Sequence, residues 1–519
     1  MSSEKRSILA VSLWLSWQDE VTLSSSDGEA VVSGPGARVA LRPISPEIVA
    51  AMECLAPPGQ TEEQIEETIL ASGSVDSLAR WYYHVNQLRR RGFVRRSLYS
   101  NGVRLATLAP FGGTLGGASQ SLPPGVAIAA TQGRPLSPAR KPPHRPADIF
   151  RLSRFAYLRR EGAQLVVESP LCPARIILDD PRSAAVIAAL ASPGTISQVI
   201  ALTPGLDVAE VTGLVSLFRE AGIVDRGTIH PQESQTRGEP GAASGVPFAV
   251  NPALETWEFH DLLFHSRSRL GRSDGQFGGT YRMPHRAPPP AFKPEVAAEW
   301  FDLERPDAAQ LERDDPPFAL VQERRRSIRE YGSRPLTARH LGEFLYRVAR
   351  TTRRWQSEVH APVGPIEMEF SARPYPAGGG LHELEFYLVV NACQDLPNGL
   401  YHYDPQQHRL GRLSGPNRLT ELLLVEAGAS AGIPWEKLQI HIILAARFER
   451  LAWKYESIAY ALLLKDVGVV YQTMYLAATA MNLAPCGLGC GDSDLFARAA
   501  GLDYYVESSV GEFLLGSKQ

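Results

Sequence analysis

The chain has 519 residues, 44% of them hydrophobic and 21% charged, and its net charge is −3. This length suggests about three domains at roughly 150 residues each. The near-neutral charge gives no support for a nucleic-acid or anionic-membrane partner. The five cysteines are dispersed, which favours a reducing, cytoplasmic setting and indicates no metal site. The longest apolar stretch, Ile458 to Pro485, contains Lys465 and Asp466, so we expect a buried helix rather than a membrane span.

Two segments of the N-terminal half share one pattern, from about Val21 to Arg96 and from about Ala156 to Arg226. Each opens with short strands, and a helix then begins at a capping residue followed by proline, Ser45-Pro46 or Asp180-Pro181. Each closes with an amphipathic helix that runs into a glycine and a strand. This order predicts two winged-helix-like modules. Because their last helices share no basic face, we interpret the modules as docking surfaces for a peptide or protein partner.

Composition divides the chain into five predicted parts. Residues 1–110 and 147–227 form the winged-helix-like modules, and residues 111–146 form a linker rich in proline and glycine. Residues 228–315 form a second linker and an arm, and residues 316–519 form an α+β catalytic domain. The arm contains His260 and His265 on an aromatic stretch that is predicted to be helical. It either packs on the catalytic domain or covers the active site, and the sequence leaves both interpretations open.

The segment Arg324–Arg329 places four arginines and Ser327 within six residues. Guanidinium groups offer planar forks to phosphate. We expect the cluster to stand just before a helix start, where backbone N–H groups would add to an anion site.

Two glycine-rich turns belong to the same domain, Gly378–Gly380 before a strand and Gly487–Gly491 after the long apolar helix. Without a Cβ, glycine lets the backbone approach a flat ligand closely. The core strands are predicted at Glu385–Val390 and Ile440–Ala445, and the helix between Ser457 and Asn482. The arginine cluster and the two turns together indicate a flavin site.

With these three motifs in this order, residues 320–519 resemble the nitroreductase-like flavoenzymes, in particular the SagB-type (McbC-like) azoline dehydrogenases. The subfamily resemblance depends mainly on the stretch from Ala445 to Tyr455. It implies that Lys454 and Tyr455 are catalytic and that the cofactor is FMN. The residues implied to bind the cofactor are Arg325, Arg326, Ser327, Arg329, Pro376, Gly378, Gly379, His382, Gln472, Gly487, Leu488 and Gly489.

The activity that this resemblance implies is oxidation of thiazoline or oxazoline rings in a ribosomally synthesised peptide, with oxygen reoxidising the flavin. Lysine would take the Cα proton, and tyrosine would share or relay it. Since adjacent strand residues point to opposite faces, a loop or helix start after Trp453 would be needed to aim both groups inward. The implied partners are the azoline-containing precursor peptide, a cyclodehydratase and a second copy of the chain. The sequence departs from the family pattern at Glu383, where a proline is common, and at the C-terminus, where Lys518 alone supplies a basic residue.

Three alternatives stay open at this point. The protein could be an NAD(P)H-dependent nitro- or quinone reductase, which NAD(P)H would bleach rapidly. It could oxidise carrier-bound azolines of nonribosomal peptides. It could also be a peptide-binding scaffold that retains a flavin fold without catalysis, in which case it would purify without flavin.

Overall fold

The structure is a computed structural model, and it describes residues 11–26, 28–34, 37–73, 75–111, 148–228, 248, 251–273, 275–295 and 297–519. The chain divides into two compact units, Met1–Gln276 and Phe277–Gln519. The two linkers expected at 111–146 and after 227 lie almost entirely outside the described residues. None of the helices in the described ranges combines the length and hydropathy of a membrane span.

The first unit contains twelve strands and seven α-helices among its described residues. The strands are β1 (Val11–Trp17), β2 (Thr22–Ser26), β3 (Glu29–Gly34), β4 (Ala37–Leu41), β5 (Gln60–Thr61), β6 (Val94–Ser100), β7 (Val103–Pro110), β8 (Asp148–Leu152), β9 (Tyr157–Glu161), β10 (Gln164–Glu168), β11 (Ala174–Leu178) and β12 (Val224–Thr228). The helices are α1 (Pro46–Glu53), α2 (Glu62–Ser72), α3 (Val75–Arg90), α4 (Pro181–Ala189), α5 (Ile196–Leu202), α6 (Val208–Glu220) and α7 (Phe259–Arg267).

The repeated pattern of the sequence corresponds to repeated structure in this unit. Helices α1 and α4 begin at the predicted N-caps, Ser45 and Asp180, each followed by proline. Each module then has two more helices before its closing strand. Strands β7 and β11 pair antiparallel, so the modules share one seven-stranded sheet in the order β5-β1-β6-β7-β11-β10-β9. Separate apolar clusters fill the two modules.

The second unit contains thirteen strands and seven α-helices among its described residues. The strands are β13 (Gly278–Gly279), β14 (Glu299–Asp302), β15 (Leu336–Thr337), β16 (Arg353–Ala361), β17 (Gly364–Ala372), β18 (Leu384–Val390), β19 (Cys393–Gln394), β20 (Gly399–Asp404), β21 (Arg409–Ser414), β22 (Ile440–Arg447), β23 (Tyr455–Glu456), β24 (Leu483–Gly487) and β25 (Glu507–Ser517). The helices are α8 (Ala308–Asp314), α9 (Phe318–Arg324), α10 (Ala338–Ala349), α11 (Arg418–Ala431), α12 (Phe448–Ala452), α13 (Ala459–Ala480) and α14 (Ser493–Ala500).

A seven-stranded sheet, in the order β14-β21-β20-β18-β22-β25-β24, forms the centre of the second unit. All seven residues of β18 are buried, because helices cover both faces of the sheet. Helices α10 and α13 contribute to the apolar cluster on one face, and α11 and α14 to that on the other. The predictions of strands within β18 and β22 and of a long helix at α13 are confirmed. Burial on both faces of the sheet explains why β18 and β22 are almost uniformly apolar.

Candidate functional site

The first group of site residues surrounds the Gly378–Gly380 turn, whose 3-10 hydrogen bonding is combined with non-helical backbone angles at Gly379. Gly379 has a φ of 61°, in the left-handed region that favours glycine. A Cβ at Gly379 would overlap Tyr455 Oη and lie 2.9 Å from Lys454 Nζ. The ammonium and hydroxyl groups therefore converge on one glycine. We refer to Gly378, Gly379, Lys454, Tyr455 and Asp466 as the glycine-turn cluster.

A helix boundary allows Lys454 and Tyr455 to reach the same place. Helix α12 ends at Ala452, and the Lys454 N–H still donates to the Leu451 carbonyl at 3.1 Å. The strand β23 starts one residue later, at Tyr455. Because Lys454 lies in the turn rather than in the strand, the alternation of a regular strand does not separate the two side chains.

The strand β13 holds this segment from the other side. Gly279 pairs with Tyr455, and the Tyr281 N–H donates to the Lys454 carbonyl at 3.1 Å. The Thr280 hydroxyl donates to the Glu456 carboxylate at 3.0 Å. The Lys454 side chain lies over Gly279, where a Cβ would come within 3.6 Å of its Cε. Backbone pairing therefore fixes the position of the Lys454–Tyr455 pair from a segment far away in sequence.

Partial burial shifts the pKa values of Lys454 and Tyr455 in opposite directions. It lowers the pKa of Lys454 from its usual 10.5, since removing water disfavours the ammonium. It raises the pKa of Tyr455, with further contributions from Tyr281 and Asp466. The lysine is thus easier to deprotonate, while the tyrosine keeps its proton. The arrangement offers a base and a hydrogen-bond donor side by side.

The buried side of the turn is attached to the long helix. Asp466 of α13 accepts a hydrogen bond from the Gly378 N–H at 2.8 Å. Leu451 and Leu462 lie within about 4 Å of the position that a Gly378 Cβ would take. An acidic side chain in apolar surroundings therefore fixes the backbone of the turn.

The second group of site residues gathers around Tyr475, also on α13. Its hydroxyl lies 2.7 Å from Ser327 Oγ and accepts a hydrogen bond from the Gly487 N–H at 2.7 Å. The Arg325 guanidinium lies over the Tyr475 ring, 5.3 Å from its centroid. The arginine segment and the second glycine turn are thus brought together. We refer to Arg325, Ser327, Tyr475 and Gly487 as the arginine–tyrosine cluster.

The expectation that the arginines stand before a helix start is wrong. Arg324 is the last residue of α9, and Arg325 is its C-cap. The chain then runs extended, and the Ile328 N–H donates to the Pro485 carbonyl at 2.8 Å. The next α-helix, α10, begins at Ala338. Any anion held here would therefore bind to side chains, because no helix N-terminus of the described residues stands at this cluster.

The other predicted binding residues differ in exposure. Arg326, Arg329, Pro376, Gln472 and Gly489 are exposed, whereas Leu488 is buried. His382 is buried beside Tyr375, with ring centroids 5.2 Å apart. Burial, with the Arg373 and Arg450 charges, lowers the pKa of His382 to about 3, so this imidazole is neutral.

Sequence reasoning missed two residues of the clusters, Asp466 and Tyr475, and the nearby Arg450. Asp466 and Tyr475 are two of several polar residues that interrupt a largely apolar helix, and no local pattern distinguishes them from the others. Arg450 is fully buried and donates to the Leu381 and Glu369 carbonyls at 3.0 and 2.9 Å and to the Pro289 carbonyl. A charged residue inside an apolar stretch could have suggested such a role for Arg450.

The arm with His260 and His265 forms α7, within the first unit. Trp257 and His265 stack with centroids 5.5 Å apart. Arg267 pairs with the buried Glu168 of β10 at 3.1 Å. These contacts attach α7 to the second module. Among the described residues no group of side chains could hold a metal ion.

Comparison with known protein families covers most of the chain in three parts. The ThcOx helix-turn-helix domain matches residues 9–116, the cyanobactin oxidase ThcOx family matches residues 150–274, and the nitroreductase family matches residues 323–516. The α+β fold class, with a nitroreductase-like domain preceded by winged-helix-like modules, is thereby confirmed.

Individual relatives match parts of the chain. A protein of Methanocaldococcus jannaschii that is named as a nitroreductase is 28% identical over 188 residues, which are 36% of this chain and 83% of the relative. The trifolitoxin-processing protein TfxB of Rhizobium leguminosarum bv. trifolii is 27% identical over 152 residues, 28% of this chain and 40% of TfxB. A chain of the E. coli microcin synthetase McbBCD complex with truncated pro-MccB17 is 18% identical, with a TM-score of 0.31 and coverage of 49% and 91% of the two chains.

The family matches and the curated relatives agree with the motifs on which the resemblance was based. Residues 323–516 therefore form a nitroreductase-family domain, the matches support an oxidoreductase, and the resemblance of the chain to the SagB-type members of the nitroreductase superfamily is confirmed.

Proposed function

We propose that this protein is an FMN-dependent dehydrogenase that oxidises thiazoline or oxazoline rings of a ribosomally synthesised peptide to thiazoles or oxazoles. The observation that carries the proposal is the convergence of Lys454 Nζ and Tyr455 Oη on Gly379. Azoline oxidation requires removal of a Cα proton, and a base of lowered pKa beside a glycine turn suits that step.

The residues present fit FMN. The arginine–tyrosine cluster offers the Arg325 guanidinium and the Ser327 hydroxyl, which are donors that suit a phosphate. Gly380 and Gly489 both adjoin open space, since a Cβ on either would meet no atom within 4 Å. Such positions let a flat ring approach the backbone. Gly489 is accordingly proposed to border the ring, together with Gly378, Gly379 and Gly487. Arg325, Ser327 and Arg329 are proposed to hold the phosphate and the O2 edge of the ring, and Arg326 to contact the flavin.

The two clusters are separated within one chain. Asp466 and Tyr475 lie nine residues apart on α13, about 14 Å along a helix axis. The resemblance implies a flavin site built across a subunit interface, and this separation agrees with a homodimer in which the clusters of two copies meet. The remaining residues that the resemblance implies are also proposed to contact the cofactor: Pro376, His382, Gln472 and Leu488.

In the proposed reaction Lys454 Nζ accepts the Cα proton of the azoline ring. FMN, when bound, supplies the acceptor for the hydride that leaves Cβ, and molecular oxygen is the final oxidant. Tyr455, whose pKa is raised, stays protonated and donates a hydrogen bond beside the departing proton. The β13 pairing and the Asp466–Gly378 hydrogen bond keep these groups in place while the peptide binds.

The family matches support a peptide substrate. ThcOx is described as a cyanobactin oxidase and TfxB as a trifolitoxin-processing protein, and both names refer to peptide maturation. The winged-helix-like modules are proposed to dock the precursor peptide or a cyclodehydratase. The reaction is proposed to take place in the cytoplasm.

The decisive experiment incubates the purified protein with FMN, oxygen and an azoline-containing peptide and measures the peptide mass. We expect a loss of about two daltons per ring, because two hydrogens leave each azoline. An unchanged mass together with rapid bleaching of the flavin by NAD(P)H would instead identify a nitro- or quinone reductase. An azoline attached to a carrier protein is tested in parallel. Oxidation of this substrate alone would identify an enzyme that acts on carrier-bound azolines of nonribosomal peptides. Protein that binds no FMN would favour a scaffold.

A further inference from the structure

Glu383 is a fully buried acid whose carboxyl oxygens receive no hydrogen bond from an N–H or hydroxyl group of another described residue. Its exposure is 0%. It follows His382 directly and precedes the first residue of β18. A buried carboxylate without hydrogen bonds is costly, so this position needs an explanation.

The buried position of Glu383 is explained by a neighbouring acid, Asp466. Asp466 interacts electrostatically with Glu383 more strongly than any other charged group, and a side-chain hydrogen bond joins the two acids. Asp466 itself is buried, with 7% exposure. One Asp466 oxygen already accepts the Gly378 N–H. Two acids that adjoin each other in an apolar site do not both ionise, because like charges repel and water is excluded.

We propose that Glu383 and Asp466 share one proton, which Glu383 donates to Asp466, and that this pair positions the Gly378–Gly380 turn against Lys454 and Tyr455. Asp466 then accepts two hydrogen bonds, one from Glu383 and one from Gly378. The pair links the start of β18, helix α13 and the turn. Glu383 and Asp466 are positioning residues, since they act on the proposed catalytic groups through the backbone of the turn.

The surrounding charges agree with a single shared proton. Burial, followed by the Asp466 charge, raises the pKa of Glu383 to about 8. Burial also raises the pKa of Asp466, while the hydrogen bonds from Gly378 and Glu383 and the Lys465 charge oppose that shift. The other groups that interact with the pair are Arg373, Arg450, Tyr375 and Tyr455. Below a pH of about 8 Glu383 is therefore a donor, and above it two carboxylates would face each other.

Infrared spectroscopy tests the shared proton without any reaction. Difference spectra between about pH 6 and about pH 10 should show the carbonyl band of a protonated acid that titrates near pH 8. The band should disappear in Glu383→Gln and remain in the matched variant Glu512→Gln, which changes another buried acid. Asp466→Asn keeps an acceptor but removes the charge, so the midpoint should fall by about one pH unit or more. A band that survives Glu383→Gln, or a midpoint unchanged in Asp466→Asn, would overturn the pair.

The positioning role has its own readout, which depends on the proposed function. Azole formation by the wild type should fall above a pH of about 8, and that alkaline loss should be absent in Glu383→Gln, whose amide still donates to Asp466. At pH 7 this variant should stay within about threefold of the wild type, whereas Glu383→Leu, which lacks a donor, should lose about tenfold or more. Equal loss in both variants would exclude the positioning role. If the wild type forms no azole but the infrared titration holds, the proposed function fails and the pair stands.

Discussion

The glycine-turn cluster and the arginine–tyrosine cluster belong to one domain but are held in different ways. Lys454 and Tyr455 are partly buried, and β13 and α12 fix their backbone. Arg325, in contrast, is exposed and lies over the face of Tyr475. The first cluster is ordered by the fold itself, as catalytic groups require. The second contains one exposed charged side chain, Arg325, beside the polar groups of Ser327 and Tyr475, which suits binding a phosphate more than aligning a reaction.

The largest effect should come from removing the proposed base of the glycine-turn cluster. Lys454→Ala should lower azole formation about 1000-fold, because general-base catalysis contributes on that scale. Tyr455→Phe should cost about tenfold, since it removes a hydrogen-bond donor but no base. Single-turnover mass spectrometry measures both. Lys437→Ala, which changes an exposed lysine elsewhere in the domain, serves as the control. Full activity in Lys454→Ala would disprove the proposed mechanism.

The turn itself offers a matched pair of glycines. Gly379→Ala should lower the rate about 100-fold, because the new Cβ would displace Tyr455 and Lys454 and small displacements of catalytic groups are costly. Gly380→Ala carries similar backbone strain at a φ of 70° but meets no atom within 4 Å. Its rate should fall far less. Similar losses in the two variants would show that strain, rather than crowding of the pair, limits the reaction.

The arginine–tyrosine cluster should affect cofactor binding instead of the chemical step. Arg325→Ala and Tyr475→Phe are each expected to weaken FMN binding about tenfold, the usual scale for losing a charged contact or a bridging hydrogen bond. Fluorescence titration of FMN measures the affinity, and the rate at saturating FMN should change little. Arg418→Ala provides a control for the loss of one exposed arginine. A fall in the saturated rate without weaker binding would contradict this division of roles.

The smallest predicted effect is a pH dependence near neutrality. The neutral amine is the active form of a lysine base, so the rate should rise with pH through the lowered pKa of Lys454. The dependence of the rate on pH is best measured in Glu383→Gln, because this variant is expected not to lose activity above a pH of about 8. We expect a rise of about threefold to tenfold per pH unit. A rate independent of pH in this variant would indicate that Lys454 is not the base.

Another buried acid near Glu383, Glu385 of the same sheet, contributes to stability rather than to the proposed site. Glu385 is buried, and burial alone would raise its pKa, but His402, Arg447 and Arg373 together hold it at about 2. The folded-state pKa lies below the usual value, so this group stabilises the fold above pH 4.5 and loses that contribution as the pH falls towards 2. Glu385 thus supports the fold, whereas Glu383, two residues earlier, is assigned to the turn.

Local signals were predictable from the sequence, whereas contacts between distant segments were not. Proline after Ser45 and Asp180 indicated two helix starts, and apolar runs indicated β18, β22 and α13. The prediction that the arginines precede a helix was wrong, because the hydrogen bond between Ile328 and Pro485 keeps that segment extended. Asp466 and Tyr475 could not be recognised, since the residues that surround them in the sequence do not indicate which distant groups they contact.

The sequence by itself determined the motifs, their order and therefore the superfamily: a Lys-Tyr pair, two glycine turns and an arginine-rich segment. The tertiary structure decided which of these motifs meet. Pairing of β13 with β23 and the end of α12 direct Lys454 and Tyr455 to Gly379, and Tyr475 joins Ser327 to Gly487. These contacts join residues up to about 180 positions apart. They depend on how strands and helices pack, which no local pattern of residue types encodes.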